Sequence, residues 1–176
     1  SKKGSGAPKF SLLTEGGSYK SYKAQLGVNG SLQKLNYSIA LSRTGSDGFS
    51  VASEKYGNTE KDGYNFNNAS ALVGYSFSEN SEINIYTRFL KSESDNDQFG
   101  GEFGDDPTYL TNQEEFSIRG EGKLKLVDGL WNQKLGLTFF RNVRNNSYDT
   151  SAASINYPFY VNDYSWAHYD GRKYKI

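Results

Sequence analysis

Asn68-Ala69-Ser70-Ala71-Leu72-Val73-Gly74-Tyr75-Ser76-Phe77 is the stretch whose reading decides the fold class. In a strand, residues two apart point to the same side. Ala69, Ala71, Val73, Tyr75 and Phe77 then form one apolar face. Asn68, Ser70, Leu72, Gly74 and Ser76 form the other, mostly polar face. Sustained alternation of this kind argues for a strand with two unlike sides.

The same period returns in both directions along the chain. Downstream, Ile83, Ile85, Thr87 and Phe89 oppose Asn84, Tyr86 and Arg88. Phe116, Ile118, Gly120, Gly122, Leu124 and Leu126 oppose Ser117, Arg119, Glu121, Lys123 and Lys125. Leu135, Leu137, Phe139 and Val143 oppose Lys134, Gly136, Thr138, Phe140 and Asn142. Upstream, Tyr22, Ala24, Leu26 and Val28 oppose Lys23, Gln25, Gly27 and Asn29. Leu35, Tyr37, Ile39 and Leu41 oppose Asn36, Ser38, Ala40 and Ser42. A weaker strand is expected over Lys9–Gly16, and a last one from about Trp166.

The connections carry the next inference. Gly30–Lys34, Ser78–Ser81 and Val127–Trp131 are short, the last with an Asp128-Gly129 turn signal. Thr44–Asn65, Ser92–Gln113 and Asn145–Ser165 are long and polar. Short and long links are therefore expected to alternate strictly. Membrane barrels behave this way, with short turns at one end and long loops at the other. The expected fold is all-β: an antiparallel meander forming a partial transmembrane β-barrel of about seven or eight strands. Phe77, Trp131 and Tyr37 fall near the short turns, and Phe89 and Phe139 nearer the long loops, where interfacial aromatics belong. Arg43 and Arg141 share the apolar parity but sit toward the loop ends, where a charge on that side costs little. Alternation alone also fits a soluble sandwich, in which two apolar faces meet.

Composition narrows the function classes. The chain has 20 basic and 20 acidic residues and no net charge, so nothing points to nucleic acid. Hydrophobic residues make up only 35%, yet aromatics reach 15%. Disordered chains are poor in aromatics, whereas sheets with one wet face have both properties. There is no Cys, which excludes disulfides and thiolate metal sites. Enzyme chemistry is not expected: the lone His168 has no nucleophile motif beside it, and the glycines form no phosphate-binding fingerprint.

Asp47-Gly48-Phe49-Ser50-Val51-Ala52, Tyr56-Gly57-Asn58-Thr59 and Asp62-Gly63-Tyr64 together resemble an outer loop of the cobalamin transporters among TonB-dependent outer-membrane receptors. Lys2-Lys3-Gly4-Ser5-Gly6 resembles the exit from their plug domain. The resemblance implies that residues 1–7 leave a plug and that residues 8–176 begin a larger barrel in the bacterial outer membrane. It further implies import of a scarce nutrient, such as cobalamin or an iron-siderophore, driven by TonB through a plug outside this sequence. Cobalamin receptors bind calcium through loop aspartates. On that pattern Glu60 and Asp62 fall at the matching place, with Glu60 standing where the family has an aspartate. Asp47 lies three residues before the position of an earlier family aspartate, and Asp105 or Asp106 corresponds to a later one.

The residues also speak for themselves. Asp95, Asp97, Glu102, Asp105 and Asp106 crowd one long loop, and Asp47, Glu60 and Asp62 its neighbour. Calcium takes six to eight oxygens, which two loops can pool. A solvated acidic surface is the competing reading. Tyr56, Tyr64, Phe99, Phe103 and Tyr109 share these loops and suit a large amphipathic ligand, or simply loop packing. The expected partners are a lipid bilayer, TonB and a small-molecule nutrient. An isolated piece is expected to self-associate through its open strand edges. The alternatives are a soluble carbohydrate-binding sandwich, and a passive porin or autotransporter barrel.

Overall fold

The computed structural model describes residues 4–50, 53–57, 60–97, 108–126, 130–149 and 164–175. Eight strands follow one another: β1 (Lys9–Gly16), β2 (Tyr22–Leu32), β3 (Leu35–Ser46), β4 (Tyr64–Ser78), β5 (Ser81–Asp95), β6 (Leu110–Leu126), β7 (Trp131–Asp149) and β8 (Tyr164–Lys175). Each pairs antiparallel with its sequence neighbours in a single sheet ordered β1 to β8. The sheet is not closed: β1 and β8 are its edges. The all-β meander is as expected, and its form is consistent with a partial barrel. A single 3₁₀ turn, Glu54–Tyr56, is the one helical element among the described residues.

Register aligns the faces across strands. Tyr37, Val73, Ile85, Gly120 and Leu137 form one continuous row through β3 to β7. Leu41, Ala69, Phe89 and Phe116 form the next. The parity read from each strand alone therefore merges into one apolar face and one polar face.

Exposure inverts the usual globular arrangement. The buried side chains on the strands, Leu72, Asn84, Ser92 and Glu121, all belong to the polar face. The large apolar residues of the other face are exposed, from Leu12 at 70% through Ile85 at 44% to Leu137 at 63%. The sheet thus curls with its polar side inward. Nothing among the described residues covers the apolar side.

An ion network stitches the polar side together. Glu121, only 4% exposed, lies 2.6 Å from Arg119, 3.1 Å from Lys134 on β7 and 3.6 Å from Lys123. Lys123 also reaches Glu82 on β5 at 3.0 Å, and Asn84 donates to Glu82. A buried carboxylate is tolerable only with such compensation.

Two sequence expectations need correction. The strands run further into the long links than alternation indicated, for β3 continues to Ser46 and β4 starts at Tyr64. Likewise β5 reaches Asp95, and β7 reaches Asp149. In these outer portions both faces are polar, so the ladder persists after the alternation ends. Strict alternation of link lengths also fails once. The β1–β2 connection, residues 17–21, is short although it lies at the loop end. It is tied down there: Asp47 donates its backbone N–H to the Tyr19 carbonyl, and Tyr19 packs on Phe49 with ring centroids 5.4 Å apart.

The segment before β1 is fastened to the β2–β3 turn. Gly6 donates to the Ser31 hydroxyl, and its carbonyl accepts from the Ser31 N–H, both at 2.8 Å. A side chain at Gly4 would collide with the backbone of Gly30 and Tyr37, so only glycine fits there. Ser31 has the polar-face parity, so its hydroxyl holds this segment from that side.

Candidate functional site

Polar links at the loop end gather into a site because the ladder continues beneath them. Tyr64 pairs with Ser94, and the hairpin is carried one step further by Asp95, whose N–H donates to the Gly63 carbonyl at 2.9 Å. The Gly63 N–H in turn lies 3.2 Å from an Asp95 carboxylate oxygen. Asn96 then bonds the Tyr109 carbonyl, linking this hairpin to the start of β6. Residues just outside the Tyr64–Ser94 pair are thereby brought face to face across two loops.

The result is a cluster of Glu60, Asp62 and Asp97, with one carboxylate oxygen of each within 4.8 Å of the others. All three are half-buried. Like charges this close disfavour one another unless a cation or proton intervenes. Oxygen donors from two loops are also what calcium uses. Glu60 and Asp62 were singled out in the sequence. Asp97 was visible only as one member of an acidic run. Its place beside Glu60 and Asp62 depends on the β4–β5 pairing that holds the two chain segments together up to Tyr64 and Ser94, which no single-strand pattern contains.

Asp47 takes a different role. It pairs with Lys20 at 2.8 Å, stapling the third strand's exit to the β1–β2 link. It also lines an open depression of about 300 Å³ with Tyr64, Lys61, Glu93 and Asp95. Gly48 explains how the loop turns away at once. Its φ is +69°, and a side chain there would strike the Asp62 carbonyl. The loop therefore folds back on the segment that carries the acidic cluster, and the Asp62 N–H points at the Phe49 carbonyl at 3.4 Å.

The aromatic candidates are distributed. Tyr64 packs on Phe66, with centroids 5.4 Å apart, on the polar face. Tyr56 ends the 3₁₀ turn, exposed, with the Lys55 ammonium 5.6 Å from its ring centre. That turn is capped by Ser53, and Gly57 follows with φ of +89°. Tyr109 is half-buried and precedes β6. Phe99, Phe103, Glu102, Asp105 and Asp106 lie outside the described residues, as do Val51, Ala52, Asn58 and Thr59 of the resembling loop. His168 stacks on Trp166, 5.7 Å between centroids, with its Nδ1 near the Asn145 side-chain oxygen.

Comparisons with protein-family models, with curated proteins and with solved structures give no match.

The Lys20–Asp47 pair has a testable pH signature. The hydrogen bond from Lys20 holds the Asp47 carboxyl below the ordinary aspartate range, and the same bond raises the Lys20 ammonium. A depressed carboxyl makes a contact that is complete above the ordinary range and is lost as pH falls through the lowered value. NMR titration of Asp47 is expected to show a midpoint below that of a free aspartate. Lys20→Met should return it toward the ordinary value, and an unmoved midpoint would refute the pairing.

Proposed function

We propose that this chain forms the opening strands of an outer-membrane receptor barrel of the TonB-dependent class, importing a scarce nutrient such as cobalamin or an iron-siderophore. One observation carries the membrane part of this reading: a continuous, exposed apolar face on long antiparallel strands whose polar side is turned inward. In water such a face is costly and prone to aggregate. Against lipid it is the required surface. A soluble sandwich would need a second sheet against that face, and the described residues make one sheet. The nutrient-receptor part rests on the loop and plug-exit resemblances. The fastening of Gly6 through a polar-face hydroxyl suits a chain arriving from the barrel's interior. On this reading the β1 and β8 edges pair with further barrel strands, and an isolated piece would join its edges to another copy.

The membrane reading predicts a contrast between two positions of the same parity. Ile85 lies mid-band and Asn67 at the loop-side margin. Ile85→Arg is expected to cost about 2–4 kcal/mol, and Asn67→Arg about 1 kcal/mol or less, in folding into bilayers. Equal costs would argue against a lipid-facing surface. The receptor class is tested by the coding sequence upstream of Ser1, where a plug domain is expected. A parent gene without one would leave only the porin or autotransporter alternative.

Within this reading, Glu60, Asp62 and Asp97 bind calcium and order the two loops they join. Calorimetry of the full-length protein with calcium is expected to show heat that disappears in a Glu60→Gln, Asp62→Asn double variant. Absence of heat in the wild-type protein, with unchanged nutrient affinity, would remove calcium from the scheme.

A further inference from the structure

The apolar face carries charge at one margin only. Along the described strands, every charged residue with that parity lies at the loop end, from the Arg141–Arg172 row outward. Lys91 faces Glu114 at 3.2 Å, and Arg43 bonds the Tyr22 hydroxyl. On β7 and β8, Arg141 and Arg172 are direct cross-strand partners. Like charges opposite each other destabilise a sheet. One carboxylate serves both: Asp170 accepts two bonds from Arg141, at 3.2 and 3.0 Å, and one from Arg172 at 3.1 Å. Two guanidiniums around one carboxylate leave a net positive charge. The pair is half-exposed, and the next row inward is the apolar contact of Phe139 with Tyr174, centroids 5.2 Å apart.

We propose that Arg141 and Arg172, positioned by Asp170, bind the phosphate headgroup of a membrane lipid on the loop side, with its acyl chains against Phe139 and Tyr174. The inference rests on the membrane reading above and adds a specific lipid contact to it. The charge matches: Asp170 neutralises only one of the two guanidiniums, Glu114 one row outward is paired with Lys91, and the arginines stand where an apolar surface gives way to polar groups. The donors match too. Arginine offers five N–H groups in a planar fork suited to phosphate, and Asp170 occupies only part of the two forks.

Spin-labelled phosphatidic acid and phosphatidylcholine, compared by electron paramagnetic resonance with the full-length protein in phosphatidylcholine bilayers, test this. The wild-type protein is expected to prefer phosphatidic acid by about fivefold, the effect of one uncompensated cation. Arg141→Gln with Arg172→Gln should abolish the preference, and Arg141→Lys with Arg172→Lys should keep part of it. Asp170→Asn moves the other way: removing the competing carboxylate should strengthen the preference. A preference that survives in the double glutamine variant, or falls in Asp170→Asn, overturns the site. Immobilised lipid without a preference for phosphatidic acid overturns this proposal and leaves the membrane reading standing. No immobilised lipid of either kind overturns both.

Discussion

Everything in this structure depends on the register of one backbone ladder. Side chains alternate with a period of two, so a slip of a single residue between neighbouring strands would exchange the faces of everything beyond it. Apart from a one-residue shift between Ser76 and Ser78 beside the β4–β5 turn, seven successive pairings keep the same parity, and this assigns Ile85 and Leu137 to one side and Asn84 and Glu121 to the other. Glu121 makes the assignment costly to violate. Its carboxylate is compensated by cations on β6 and β7, and Lys123 extends the connection to β5. A slipped β6 would carry that carboxylate to the apolar side and break its contact with Lys134 and that of Lys123 with Glu82.

The same ladder builds the loop-end site. Two chain segments more than thirty residues apart meet at Glu60, Asp62 and Asp97 because the β4–β5 hairpin stays paired to the last residue before its loops depart. Gly48 and the Lys20–Asp47 pair then hold the neighbouring loop down onto that hairpin. The acidic cluster is therefore positioned by strands, and this gives loop residues the fixed spacing that a cation site needs.

Much of this was legible in the sequence, for a physical reason. A face in contact with one medium along its whole length leaves an uninterrupted alternation, so Ala69 to Phe77 and Phe116 to Leu126 revealed both strand and face. Legibility stopped where both faces meet the same medium. Thr44 to Ser46 and Ser92 to Asp95 are polar on either side and resembled loop, yet they are paired. The acidic cluster was half legible. Composition marked two acid-rich loops, but the choice of Asp97, and the diversion of Asp47 to Lys20, depend on cross-strand register and on a short link. The fastening of Gly4 and Gly6 to the β2–β3 turn left no pattern beyond the glycines themselves.

The margins of the apolar band yield a further argument. Rows of paired residues run perpendicular to the strands, so a membrane boundary coincides with a row only if the strands stand upright. At the turn end, the β2–β3 hairpin closes in the row of Leu35, Tyr75 and Ile83. The β4–β5 hairpin closes one row further, at Ser81 and Leu124, and the β6–β7 hairpin another row beyond, at Leu126 and Trp131. At the loop end the boundary steps the same way. The row that reads Leu41, Ala69, Phe89 and Phe116 in β3 to β6 becomes Arg141 and Arg172 in β7 and β8. Both margins descend together across the sheet, so the apolar band runs obliquely to the rows. Tilted strands produce that geometry, and a barrel wall can close only if its strands tilt. A flat face packed against a second sheet imposes no such slope, so the parallel descent of the two margins favours a curved wall in lipid.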